Sequence, residues 1–190
     1  MSRLQLPPLE CGDTILVSDE SFMASSIKWV TQSMGEPLSL VSHVIGAISP
    51  VLCSEALFRN TIHEFKPHTS KRTVIIYRPR HLSLEDKIKI KEYCYSVRDN
   101  LYGFWKLIPQ LRDGLMMRFT GWDPMTRIAN RMTSKYQLCH EHWALAMEHA
   151  TGNKLFFGGP WWELNPDSMS DWCGTNPLDF ELIFSHVKGE

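Results

Sequence analysis

The hydrophobic pattern divides the chain into short strand-like runs and a few helical stretches. Thr14-Ile15-Leu16-Val17 follows the turn pair Gly12-Asp13 and predicts a first strand. Ser21 to Ser33 is helix-like, with Phe22, Ile27, Val30 and Met34 at roughly helical spacing, until Gly35 to Ser39 breaks it. Val41 to Ser49 and Val51 to Phe58 predict two strands joined at Ser49-Pro50. Arg72 to Arg78 is dense enough in β-branched residues for a central strand. Ser83 suits an N-cap, with Glu85 and Asp86 in the first turn of a helix whose apolar stripe is Ile90, Cys94, Val97 and Leu101. Tyr102 to Trp122 contains Pro109, Gly114 and Gly121 and reads as a helix plus an irregular insertion. Cys139 to Ala150 is a second helix, with Trp143, Ala146, Met147 and Ala150 on its buried face and Gly152 as C-cap. Pro166-Asp167 introduces a short helical turn, and Asp179 to Val187 is a closing strand. About five strands and three or four helices in no strict βαβ order make the class α+β. The expectation is a single domain over 1–190, with an insertion around 102–133.

Composition narrows the function. The chain has 190 residues, with 20 Lys+Arg against 21 Asp+Glu, so it lacks the basic excess of a protein that holds nucleic acid by bulk charge. No run approaches the ~20 apolar residues of a membrane span, so no transmembrane segment is expected. Met1 to Glu10 is not a secretory signal, and a cytoplasmic location is expected unless another protein releases the chain. The five cysteines are widely spaced with no CxxC, which argues against a disulfide framework and for a reducing compartment.

Three residues carry candidate chemistry. Cys139 stands at a helix start, where unpaired amides and the macrodipole favour an anion and lower a thiol below its ~8.5 reference. A small buried packing cysteine is the alternative. His43 shares a strand face with Val41, Ile45 and Ala47, so it either faces a polar cavity or is satisfied within the core. Glu55 interrupts an apolar strand, a costly place for a carboxylate without a partner, and otherwise lies exposed on an edge. If the turn at Pro50 has an odd number of residues, His43 and Glu55 become diagonal neighbours on one face; an even loop separates them. Thiol, imidazole and carboxylate are the groups that activate a nucleophile and orient its base.

A zinc site built on Cys139, His140 and His142 is the competing pattern. Positions i, i+1 and i+3 of a helix do not all point one way, and no second ligand cluster is evident. His140 and His142 read as solvent-facing or rim residues, and Cys11, Cys53, Cys94 and Cys173 as packing residues. Trp161-Trp162 suits a groove lining, core packing or a loop anchor.

The order of these segments resembles the circularly permuted branch of the NlpC-type papain-like cysteine peptidases, the YiiX-like group, related to lecithin retinol acyltransferase-like proteins. The resemblance runs from about Cys11 to Trp172. Gly12-Asp13-Thr14-Ile15-Leu16 resembles the opening strand, Ser42-His43-Val44 the histidine strand, and Ser54-Glu55-Ala56-Leu57 the strand of the acidic partner. Tyr136-Gln137-Leu138-Cys139-His140-Glu141 resembles the nucleophile segment, with His140 where the family commonly has Ser. Asn165-Pro166-Asp167 resembles a late family element, whereas Leu101-Tyr102-Gly103 lacks the family Asp.

The resemblance implies a permuted papain-like fold, an antiparallel sheet or barrel packed on the nucleophile-bearing helix. It implies Cys139 as nucleophile, His43 as general base and Glu55 as orienting residue, with Tyr136 bordering the site; His140 and Trp161 are further expected at the substrate-binding rim, and no metal or cofactor is expected. The expected function is a cysteine hydrolase or acyl transferase acting through an acyl-enzyme on a peptide, a peptidoglycan fragment or a lipid amide. The alternative is an inactive lipid- or peptide-binding module of the same fold.

Overall fold

The structure is a computed structural model and describes residues 6–18, 40–57, 59–65, 72–101 and 137–187. Among them the strands are β1 (Thr14–Val17), β2 (His43–Ala47), β3 (Leu52–Ala56), β4 (Asn60–Glu64), β5 (Val74–Pro79) and β6 (Phe180–His186). The helices are α1 (Leu84–Ser96), α2 (Cys139–Thr151) and α3 (Pro166–Thr175). The strands form one antiparallel sheet in the order β4-β3-β2-β1-β5-β6. The class is therefore α+β.

Local chemistry explains the boundaries. Ser83 caps α1 by accepting from the Asp86 amide at 3.1 Å, while Asp86 accepts from the Ser83 amide at 2.9 Å. Gly152 ends α2 in the left-handed conformation, φ 71°. Asn165 caps α3, and Pro166 occupies its first turn, where a missing N–H costs nothing. The α1 stripe is shorter than its spacing predicts: Ile90 and Cys94 are buried, but Val97 is already the C-cap. Strand β4 has no counterpart in the sequence reading, because Asn-Thr-Ile-His-Glu carries almost no apolar signal. It is an edge strand held by its ladder to β3. The helix predicted over Ser21 to Ser33 and the insertion around 102–133 lie outside the described residues.

Both sheet faces are apolar. Leu16, Val44, Ile75 and Tyr77 pack with the helices around Ile90, Cys94, Trp143, Met147 and Met169. Ile15, Ile45, Ala47, Cys53, Val74 and Ile76 form a second cluster on the other face with Leu9. One contact sets the height of α2. The Trp143 indole lies flat over Gly46 of β2 and donates to the Thr14 hydroxyl of β1 at 2.8 Å. Thr14 and Gly46 are cross-strand partners, so a single ring is anchored to both strands. A methyl at Gly46 would overlap the indole. Gly46→Ala is expected to cost about 3 kcal/mol through overpacking, read as a lowered midpoint of thermal or urea unfolding.

Candidate active site

Trp143 is four residues after Cys139, so the two lie on the same side of α2 and the indole anchor brings the first turn of the helix onto β2. Leu138, at the N-cap, offers no side-chain oxygen. The Glu141 carboxylate instead reaches back and accepts from the Leu138 amide at 2.9 Å. Cys139 is buried at this helix start, where the macrodipole favours a thiolate.

His43 is the first residue of β2, and its ring is near enough to the Cys139 thiol for the two to interact by charge and hydrogen bonding. The β2–β3 hairpin closes with Ile48 N–H donating to the Leu52 carbonyl, leaving a loop of three residues, Ser49 to Val51. The loop is odd, the register pairs Ile45 with Glu55, and His43 becomes the diagonal neighbour of Glu55. The His43 Nε2–H donates to Glu55 Oε1 at 2.7 Å. That leaves Nδ1 as the ring nitrogen for the sulfur. Glu55 is 7% exposed and also accepts, on Oε2, from His63 Nε2 at 2.6 Å. Sulfur, imidazole and carboxylate thus stand in one line of contacts drawn from α2, β2 and β3.

The electrostatics follow from this geometry. Burial pushes the Cys139 thiol up, but the charge and hydrogen bonds of His43 and His140 outweigh it, and the thiol lies well below its ordinary range. Burial likewise disfavours a charged His43, yet Cys139 and Glu55 together raise that ring. Burial would raise the Glu55 carboxyl, but hydrogen bonds from His43 and His63 pull it down. Each shift favours the charged form of its group. The other four thiols behave oppositely: burial raises Cys11 to about 11, Cys53 and Cys94 to about 12, and Cys173 further.

Two readings from sequence need correction. His140 and His142 are not solvent-facing; they are 5% and 1% exposed. All residues from Cys139 to Ala144 are buried, because the first turns of α2 pack between α1 and strands β2 and β3. His140 lies against the Cys139 sulfur, and its Nε2 has no hydrogen-bond partner. His142 faces a different set of groups. Its Nδ1 lies 3.0 Å from Gln137 Oε1, which already accepts from Asn60 Nδ2 at 3.1 Å. That oxygen only accepts, so His142 Nδ1 carries the proton, and Nε2 accepts from the Ser54 hydroxyl at 2.8 Å. Burial pushes His142 down to about 4, which keeps it neutral. Gln137 also donates to the Tyr93 hydroxyl at 2.7 Å, so this network ties the segment entering the nucleophile to α1, β3 and β4. The network was not legible in the sequence.

Trp161 is half-buried against the helix-side core and meets Trp162 edge to face at 5.4 Å. Tyr136 lies outside the described residues. Because His140 helps to lower the thiol, His140→Ser is expected to move the Cys139 titration toward higher pH, visible in the ultraviolet absorbance of the thiolate, while His43 still holds it below an ordinary cysteine. An unmoved titration would remove His140 from the site.

No family model and no curated protein matches the chain. Among solved structures it is similar to the crystal structure of metalloprotein yiiX from Escherichia coli O157:H7, with a TM-score of 0.52 over 94% of this chain and 89% of that chain. The fold is yiiX-like. At 19% identity the likeness concerns the backbone arrangement alone. No helix among the described residues of this yiiX-like chain is long and apolar enough to cross a membrane.

Proposed function

We propose that the chain is a cysteine-dependent hydrolase or acyl transferase of the permuted papain-like kind, with Cys139 as nucleophile, His43 as general base and acid, and Glu55 as the residue that orients His43. The observation that carries this reading is the line of contacts from the Cys139 sulfur through the His43 ring to Glu55. His43 takes the thiol proton, and the resulting imidazolium is held between thiolate and carboxylate. The sulfur attacks an amide or ester carbonyl, a carbon–sulfur bond forms, and the carbonyl oxygen becomes an oxyanion beside the first-turn amides of α2. The imidazolium returns its proton to the departing amine or alcohol as the tetrahedral centre collapses to a thioester. His43 then deprotonates water or another acceptor, which attacks the thioester and frees Cys139. A peptide, a peptidoglycan fragment or a lipid amide each presents such a carbonyl.

The related fold belongs to a protein described as a metalloprotein. The side chains among the described residues do not fit that role. Among the described residues no three Cys, His, Asp or Glu side chains are disposed to hold one metal ion. Cys139 and His142, three positions apart, engage separate partners: His43 and His140 on one side, Ser54 and Gln137 on the other.

An activated ester tests the reading without knowledge of the natural substrate. With p-nitrophenyl acetate the chain is expected to release a burst of p-nitrophenol stoichiometric with protein, and peptide mapping is expected to find the acetyl group on Cys139. A burst of equal size from Cys139→Ala would overturn the assignment.

A further inference from the structure

The contacts do not stop at Glu55. Its Oε1 faces His43 and its Oε2 faces His63 Nε2 at 2.6 Å, from the neighbouring strand β4. The second ring nitrogen of His63, Nδ1, lies 2.9 Å from the Glu64 backbone carbonyl. A carboxylate and a carbonyl can only accept, so both ring nitrogens of His63 donate and the ring is an imidazolium. We propose that His63 is a positioning residue of this site, a cation on β4 that clamps the second oxygen of Glu55 and so fixes the first oxygen on His43. The proposal rests on the Cys139–His43–Glu55 reading and extends it to a fourth side chain.

Two physical arguments favour this role. The terminal torsion of a glutamate is broad and roughly two-fold, so one hydrogen bond leaves the carboxylate free to swing away from His43. A second donor on the other oxygen removes that freedom. The charges also balance: thiolate and carboxylate make two negatives, His43 and His63 two positives. A buried cluster of zero net charge is less costly than one with an unmatched anion. Among the described residues the groups that act on His63 are Glu55 from β3, His43 from β2, and the Glu64 carbonyl of its own strand. His63 is raised chiefly by its hydrogen bond to Glu55, in the direction that this geometry requires. Its side chain is 38% exposed, so it contributes little to the core and its removal is separable from folding. The β3–β4 register pairs Glu55 with Thr61, which makes His63 a diagonal neighbour of Glu55, in the same relation as His43 on the other side.

The rate of Cys139 alkylation by iodoacetamide, followed across pH by peptide mass spectrometry, reads the thiolate without a substrate. In the wild-type chain the rate is expected to reach half its plateau well below the ~8.5 of a free thiol. His63→Leu removes donor and charge, and is expected to move that midpoint up by about one pH unit, roughly a tenfold slower reaction below the midpoint. His63→Gln restores an amide donor and is expected to recover half of the shift or more. A merely structural residue would lower the unfolding temperature and leave the profile in place. A His63→Leu profile that coincides with wild type overturns the proposal, and so does a His63→Gln profile that coincides with His63→Leu. Should the leucine variant fail to fold, His63→Ala is read by the same criteria. A wild-type midpoint at the free-thiol value overturns the Cys139 reading itself, and this proposal with it, which separates the two failures.

Discussion

Cys139→Ala is expected to abolish both acyl transfer and thiol labelling near neutral pH, with at least a ~100-fold loss in labelling rate. The contrast is large because the five cysteines divide sharply. Cys139 is the thiol that two neighbouring imidazoles pull down, whereas burial raises Cys11, Cys53, Cys94 and Cys173 and keeps them protonated. The alanine variant should fold, since it removes one sulfur at the start of α2 and leaves the Trp143 anchor on Gly46 and Thr14 untouched. Circular dichroism and the unfolding midpoint check that point. Labelling that persists in the variant at the wild-type rate would place the reactive thiol elsewhere.

Glu55→Gln is expected to reduce turnover by about one to two orders of magnitude, because a neutral amide stabilises the His43 imidazolium less than a carboxylate does and can turn its NH2 toward the ring. The same substitution should change stability against pH. The Glu55 carboxyl is lowered in the folded chain, so its stabilisation is present above the unfolded value of ~4.3 and is lost as pH falls through the lower folded value. His43 is raised to about 10, so its contribution is full below the unfolded value of ~6.5 and is lost as pH rises through the folded one. The lowered Cys139 thiol runs the other way, gaining stabilisation as pH rises toward its unfolded value of ~8.5, so wild type is expected to be most stable between the acid-side and alkaline-side losses. In Glu55→Gln the acid-side loss should shrink, and the alkaline-side loss should begin at lower pH. Chemical denaturation at several pH values measures both. Curves of identical shape in the two proteins would contradict the shared charge network.

Much of the fold can be read from periodicity and caps. Thr14 to Val17, the helix after Ser83 and the helix beginning at Cys139 each announce themselves by an apolar pattern and a terminal signal. Strand β4 does not, because its stability comes from pairing with β3 and not from its own composition. The meeting of His43 and Glu55 depends on the parity of one hairpin loop, a property that sequence states as a condition and that the backbone resolves. The same parity rule would have found His63 had β4 been recognised. His142 was illegible for a different reason. It is polar on a helix, yet it lies in a buried network whose partner Ser54 is distant along the chain. Polar character alone places a residue outside the core only when no remote partner satisfies it.

The most direct test is the protonation state of His43 beside Cys139. Nuclear magnetic resonance of the ring nitrogens follows it across pH in the wild-type chain and in Cys139→Ala. In wild type the ring is expected to stay doubly protonated from acid pH to well above neutrality, held between sulfur and carboxylate. In the alanine variant, where burial acts without the thiolate, it is expected to release a proton at distinctly lower pH. A wild-type ring that is neutral at pH near 7, or one that titrates alike in both proteins, would contradict the thiolate–imidazolium pair.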